Sequence, residues 1–127
     1  MCAADRACLF IDGAVIEVLA GEILRTCAER RFAVLAYVFM PDHVHLLVQG
    51  QDEESAFRPL MKLIRQRTGI AYHRLQKRSL WQEGYFERVV RRDEQLADVC
   101  AYIVANPVRA GLAVQVEEYP FTFIAGL

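Results

Sequence analysis

The stretch RFAVLAYVFMPDHVHLLVQG, residues 31–50, decides the fold. Residues 32–40 are β-branched and aromatic enough for a strand, and Pro41-Asp42 is a turn signal. DHVHLLVQG then reads as a second strand that ends near Gln49-Gly50. Two apolar runs around a tight turn predict an antiparallel hairpin. Ahead of it, residues 13–30 place Val15, Val18, Leu19, Ile23, Leu24 and Cys27 at helical spacing.

Beyond the hairpin, residues 51–57 form an acidic link in which Glu53-Glu54-Ser55 opens a long helix reaching about Lys77. Its apolar stripe is Phe57, Leu60, Leu63, Ile64 and Ile70, and acids at its start with bases along its body suit the helix dipole. Trp81 to Gly84 reads as a turn and residues 85–91, YFERVVR, alternate like a strand. Asp93 is the expected N-cap of a helix through Leu96, Val99, Cys100 and Ile103, limited by Pro107. After Gly111 only a short tail remains. The order α-β-β-α-β-α predicts a small α+β domain with helices packed on an antiparallel sheet. With no internal repeat and no linker, residues 1–127 read as one domain.

Composition agrees. A chain of 127 residues that is 54% hydrophobic has enough apolar material for one core and too little for two. Its longest apolar stretches stop short of the roughly 18–20 residues a membrane span needs. Met1 to Arg6 lacks the apolar centre of a secretory signal, so a cytoplasmic protein with no membrane partner is expected. Cys2, Cys8, Cys27 and Cys100 form no C-x-x-C pair, which argues against a zinc knuckle or a disulfide framework and leaves buried or idle thiols.

Net charge is −1, but the charges are segregated. Residues 58–92 hold ten Lys or Arg against two Asp or Glu, while residues 1–57 hold four against nine. Such a basic segment is either a solvated helix face or a footprint for a phosphate backbone.

Two constellations could carry chemistry. In His43-Val44-His45 the histidines are two apart on a strand, so both imidazoles project from one face. Two neutral imidazoles make a partial site for a divalent metal, although strands also carry paired histidines without one. Tyr102 and Asn106 lie four apart in the expected helix, on one face and adjacent turns. A tyrosine hydroxyl can act as a nucleophile and an amide oxygen as a third metal ligand. The plainer alternatives are a core aromatic with a hydrogen-bonded tip and a helix-stop residue before Pro107.

Taken together, these segments resemble a known family. AYVFMPDHVHLLVQG resembles the His-hydrophobic-His segment of the IS200-like single-tyrosine (Y1) transposases. AYIVANPVRAGL is similar to the helix motif of their REP-associated branch, and LWQEGYFERVVR to the stretch that precedes it. Glu118-Tyr119-Pro120-Phe121 resembles that branch's closing segment, so the likeness runs in order over residues 31–121. The resemblance implies a ferredoxin-like Y1 fold and a transposase that nicks single-stranded or hairpin DNA and transfers the strand through a 5′-phosphotyrosine link. It implies Tyr102 as nucleophile, with His43, His45 and Asn106 as ligands of Mg²⁺ or Mn²⁺. The basic segment, with Arg65, Arg67, Arg74, Lys77, Arg78, Arg88, Arg91 and Arg92, would then lie along the DNA and make binding salt-sensitive.

Several residues keep two readings. Trp81 and Tyr85 either stack on unpaired bases or anchor the turn, and Glu87 either approaches the metal or makes a surface ion pair. Arg109 either touches a phosphate or is solvated, while His73 is expected to be exposed.

The likeness is incomplete at the front. The family opens with a strand well before a Leu-Phe pair like Leu9-Phe10, whereas only Met1 to Cys8 precede it here. The first strand is therefore expected to be missing or shortened, exposing a sheet edge. A DNA-binding module without turnover is the main alternative function, and a plain metal-binding or structural domain another. A histidine-triad hydrolase would need a third histidine where Leu47 stands. A monomer is expected, with a homodimer left open.

Overall fold

The computed structural model describes residues 1–85, 87 and 95–125. Its first helix, α1 (Gly13–Glu29), begins where the Asp12 carboxylate accepts a hydrogen bond from the Ala14 N–H at 2.9 Å. Strands β1 (Phe32–Met40) and β2 (His43–Gly50) form the expected antiparallel hairpin, with Met40 opposite His43 and Phe32 opposite Gly50. Helix α2 (Phe57–Gln76) crosses back against α1. Helices α3 (Leu96–Val104) and α4 (Asn106–Arg109) follow, and β3 (Thr122–Ile124) closes a sheet of order β2-β1-β3.

The sheet separates two apolar layers. On one side Phe39 and Val44 pack with Phe10, Leu19 and Ile23 and with Leu60 and Ile64 of α2. On the other, Leu35, Ala36 and Leu47 pack against Cys100 and Val104 of α3. A bulge between Val34 and Ala36 sets Leu35 and Ala36 into the same layer, so β1 changes phase midway. His43, His45 and Leu47 alternate onto one face, and Leu47 touches α3, so the imidazoles share the face that α3 covers.

Several expected boundaries move. The apolar stripe of α1 is Val15, Ile16, Leu19, Ala20, Ile23 and Cys27, which turns Val18 and Leu24 outward. Helix α2 starts at Phe57 with no acid in its first turn. Glu54 and Asp52 instead pair with Arg31, and the Ser55 hydroxyl donates to the Arg31 carbonyl at 2.7 Å. A Cβ on Gly50 would come within 2.9 Å of the Ser55 Cβ, so this close turn requires glycine. Ile70 is exposed, its expected core place being taken by Met61, Thr68 and Tyr72.

The last expected helix is interrupted. Helix α3 has Gln95 at its N-cap and ends at Val104, and Pro107 sits in the first turn of α4, where its missing N–H costs nothing. The tail after Gly111 also does more than expected, because Thr122, Phe123 and Ile124 pair with Val38, Tyr37 and Ala36. The expected strand over 85–91 (apart from Tyr85 and Glu87) and Asp93 lie outside the described residues.

The N-terminal residues occupy the outer edge of β2. Met1 and Val44 exchange backbone hydrogen bonds at 2.8 and 3.0 Å, Cys2 bridges His43, and Ala3 bridges Trp81. Among the described residues this pairing runs no further along β2 than Val44.

Candidate functional site

The hairpin turn brings Asp42, His43 and His45 together. His43 Nδ1 lies 2.7 Å from Asp42 Oδ1, and His43 Nε2 lies 3.1 Å from His45 Nε2. An Nδ1–H of His43 donates to the Asp42 carboxylate, which turns Nε2 toward the second ring. Arg6 holds Asp42 from behind, donating from Nε to Oδ2 at 2.9 Å. Burial alone would raise the Asp42 carboxyl, but the hydrogen bonds from His43 and Arg6 overcome it and hold it below its ordinary value.

His45 is pushed down to about 4. Burial is the main cause, helped by the neighbouring His43, the Met1 ammonium and the Arg109 guanidinium. At neutral pH it is an uncharged imidazole.

Two nitrogens on adjacent vertices of an octahedral ion, each about 2.1 Å from it, stand about 3 Å apart. The Nε2 pair therefore fits a divalent cation, and imidazole with amide or phosphate oxygen suits Mn²⁺ or a similar ion. Among the described residues no group of three or more His, Cys, Asp or Glu side chains is built to hold a metal, so further donors would be an amide or the substrate.

Tyr102 and Arg109 form a second cluster. The Tyr102 side chain is 66% exposed, on the flank of α3 away from Cys100 and Val104. The Arg109 guanidinium lies 4.0 Å from its ring centroid and donates to the Tyr102 carbonyl at 2.7 Å. Asn106 opens α4 and donates from Nδ2 to the Ile103 carbonyl at 2.8 Å, so Tyr102 and Asn106 are not on one unbroken helix. The structure thus brings His43 to His45, and Arg109 to Tyr102. The link between the pairs is Arg109, whose charge reaches both His45 and the phenol ring.

The basic segment divides. Arg67 is tied to α1, donating to Glu29 at 2.6 Å and to Thr26 at 3.2 Å. Arg65 bonds the Gln82 carbonyl and borders two surface pockets, the second shared with Arg74 and the exposed His73. Lys77 and Arg78 are exposed past the end of α2, where Lys77 is the left-handed cap. Arg88, Arg91 and Arg92 lie outside the described residues. Glu87 makes a surface ion pair with Arg58 at 3.6 Å.

Sequence reading undervalued two residues. Asp42 was a turn residue, yet a carboxylate beside a His-x-His pair is also a signal for an oriented imidazole. Arg109 gave no such signal, because only the fold sets it over the phenol.

A three-stranded antiparallel sheet with helices packed on it, carrying paired imidazoles on one face, defines the class: a small α+β domain. The chain belongs to the transposase family described as IS200 like, whose model matches residues 1–106. It is 27% identical over 110 residues to the REP-associated tyrosine transposase of Escherichia coli (strain K12), covering 84% of this chain and 62% of that one. A Haemophilus influenzae protein named for the same class is 28% identical over 110 residues, covering 77% of this chain and 62% of its own length. The chain thus spans about 62% of the length of the curated relatives it matches. The fold is shared with a solved REP-associated tyrosine transposase bound to a REP hairpin, at a TM-score of 0.76 and 24% identity over 94% of this chain and 69% of that chain. Among the described residues no helix is long and apolar enough to cross a membrane.

Proposed function

We propose that this chain nicks single-stranded or hairpin DNA and transfers the cut strand, with Tyr102 as nucleophile. The observation that carries the reading is the convergence of two Nε2 atoms at 3.1 Å, one ring oriented by Asp42, on the face that α3 covers. His43 and His45 would hold Mg²⁺ or Mn²⁺, with Asn106 as the candidate amide ligand. Such an ion polarises a phosphoryl oxygen when bound.

The chain's own groups supply the rest. The Tyr102 hydroxyl gives up its proton as its oxygen attacks the phosphorus, the P–O3′ bond breaks, and one proton is returned to the leaving oxygen to make a free 3′-hydroxyl. The strand is left as a 5′-phosphotyrosine, and attack by another 3′-hydroxyl reverses the step and joins the ends. Arg109 sits where it can offset phosphate charge beside the phenol. The molecule acts in this reading as a cytoplasmic monomer, with a homodimer as the alternative.

The Tyr102 ring capped by Arg109 supports a second reading as a binding module without turnover. One experiment separates them. Hairpin DNA with single-stranded flanks is incubated with the chain and Mn²⁺ and resolved under denaturing conditions. A covalent adduct that disappears in Tyr102→Phe and with chelator is expected. A gel shift with no adduct would assign the binding module, and an adduct that survives in Tyr102→Phe would remove the nucleophile.

A further inference from the structure

Around the sheet edge from the imidazoles, α2 and the segment 81–85 border an open surface cavity of about 450 Å³ lined by Arg58, Lys62, Arg65, Trp81 and Tyr85. The three cations stand at i, i+4 and i+7, so they form one column on α2. Facing them are two aromatic rings held in different ways. Trp81 donates its indole N–H to the Thr68 hydroxyl at 2.9 Å and packs on Phe10 at 5.7 Å, which fixes the plane of its ring. Tyr85 lies against Phe57 and under the Arg65 guanidinium, 5.6 Å from its centroid. Arg65 Nε is buried and, among the described residues, has no hydrogen-bond partner.

We infer that this cavity seats one unpaired nucleotide of the DNA strand, its base against Trp81 and Tyr85 and its phosphate on Arg58 and Lys62. A column of cations opposite fixed aromatic faces is what a flexible, unstacked nucleotide needs, since every base offers a π-face and every linkage a negative charge. A duplex, with its bases already stacked, gains nothing from the rings. The position also suits a strand that continues to the imidazoles. Ala3 bridges Trp81 and Cys2 bridges His43, so the cavity wall stands two ladder steps, about 10 Å, from the histidine strand. The Glu87 carboxylate, 3.6 Å from Arg58, competes for that cation and would be displaced by a phosphate.

The inference rests on the single-stranded DNA reading above, and its test has its own readout. Trp81 is the sole tryptophan of the chain, so its emission reports this cavity directly. The full chain is titrated with a short single-stranded oligothymidylate and with an abasic sugar-phosphate strand of equal length. Quenching by the first and little by the second is expected. Arg58→Ala with Lys62→Ala should weaken binding roughly tenfold, because both side chains are solvent-facing and the fold does not depend on them. Tyr85→Leu should reduce the affinity for the base-bearing strand and leave the abasic one unchanged, whereas Glu87→Gln should tighten binding about twofold to fivefold. Equal quenching by both strands, or unchanged affinity in the Arg58 and Lys62 double variant, overturns the assignment even where the Tyr102 adduct forms. Conversely, quenching in a chain that never forms the adduct keeps the nucleotide seat and removes only the cleavage reading. A chain that binds neither strand overturns the seat.

Discussion

Asp42 has the most consequential single side chain in the hairpin, because two oppositely directed demands meet on it. It accepts from His43 on one oxygen and from Arg6 on the other, so it fixes an imidazole tautomer and ties the N-terminal segment to the hairpin turn. Asp42→Asn keeps the shape but can present an N–H to the ring, which frees His43 to turn. Partners of this kind typically alter metal affinity by about 10–100-fold. We expect Mn²⁺ binding, followed by calorimetric titration, to weaken within that range while the thermal midpoint changes little; an unaltered affinity would mean that His43 is oriented by something else. Arg109→Ala has a different signature. It removes a cation from the Tyr102 ring and from the surroundings of His45, so the rate of adduct formation should fall by about tenfold or more with DNA affinity less affected. Equal losses in rate and affinity would reassign Arg109 to simple phosphate binding.

At the scale of elements, the sequence made the hairpin and the two long helices legible because each carries its own period over many residues. The imidazole pair was legible for the same reason, alternation on a strand being a local property. What local pattern could not reveal was pairing decided at a distance. β3 is three residues long, and it becomes a strand only because β1 offers it a free edge. The Tyr119 hydroxyl strengthens that closure by donating to the Phe39 carbonyl at 2.6 Å, next to the bond from the Phe39 N–H to the Phe121 carbonyl. Tyr119→Phe should therefore cost about 1 kcal/mol in urea unfolding, since it orphans a half-buried carbonyl. A change near zero would show the tail held by its apolar contacts alone. Arg67 teaches the same lesson from the opposite side. Its charge alone does not reveal that the packing of α2 on α1 sets it beside Glu29 and Thr26. Local charge patterning cannot separate a cation that faces solvent from one that faces a neighbouring helix.

The molecule as a whole unfolds around its two layers, and a cysteine reports on the larger one. Cys27 belongs to the layer of Phe39, Leu19 and Ile23, and burial pushes its thiol up to about 11 from an ordinary 9.0. Cys100, buried in the other layer, is also raised by burial, while Cys8 is exposed and Cys2 half-buried. A thiol that keeps its proton in the folded chain and loses it more easily in the unfolded one makes stability fall as pH rises. The contribution is complete below about pH 9 and is lost between 9 and 11, with a slope of at most about 1.4 kcal/mol per pH unit from Cys27. Urea midpoints should decline across that window, and Cys27→Ala should flatten the decline although it lowers stability at neutral pH by leaving a cavity. Alkylation at pH 8 read by mass spectrometry supplies the independent check. Cys8 and Cys2 should label quickly, and Cys27 and Cys100 only as fast as their layers open. If Cys100 labels well before Cys27, the α3 layer opens on its own, and the helix that carries Tyr102 can leave the sheet without unfolding the rest.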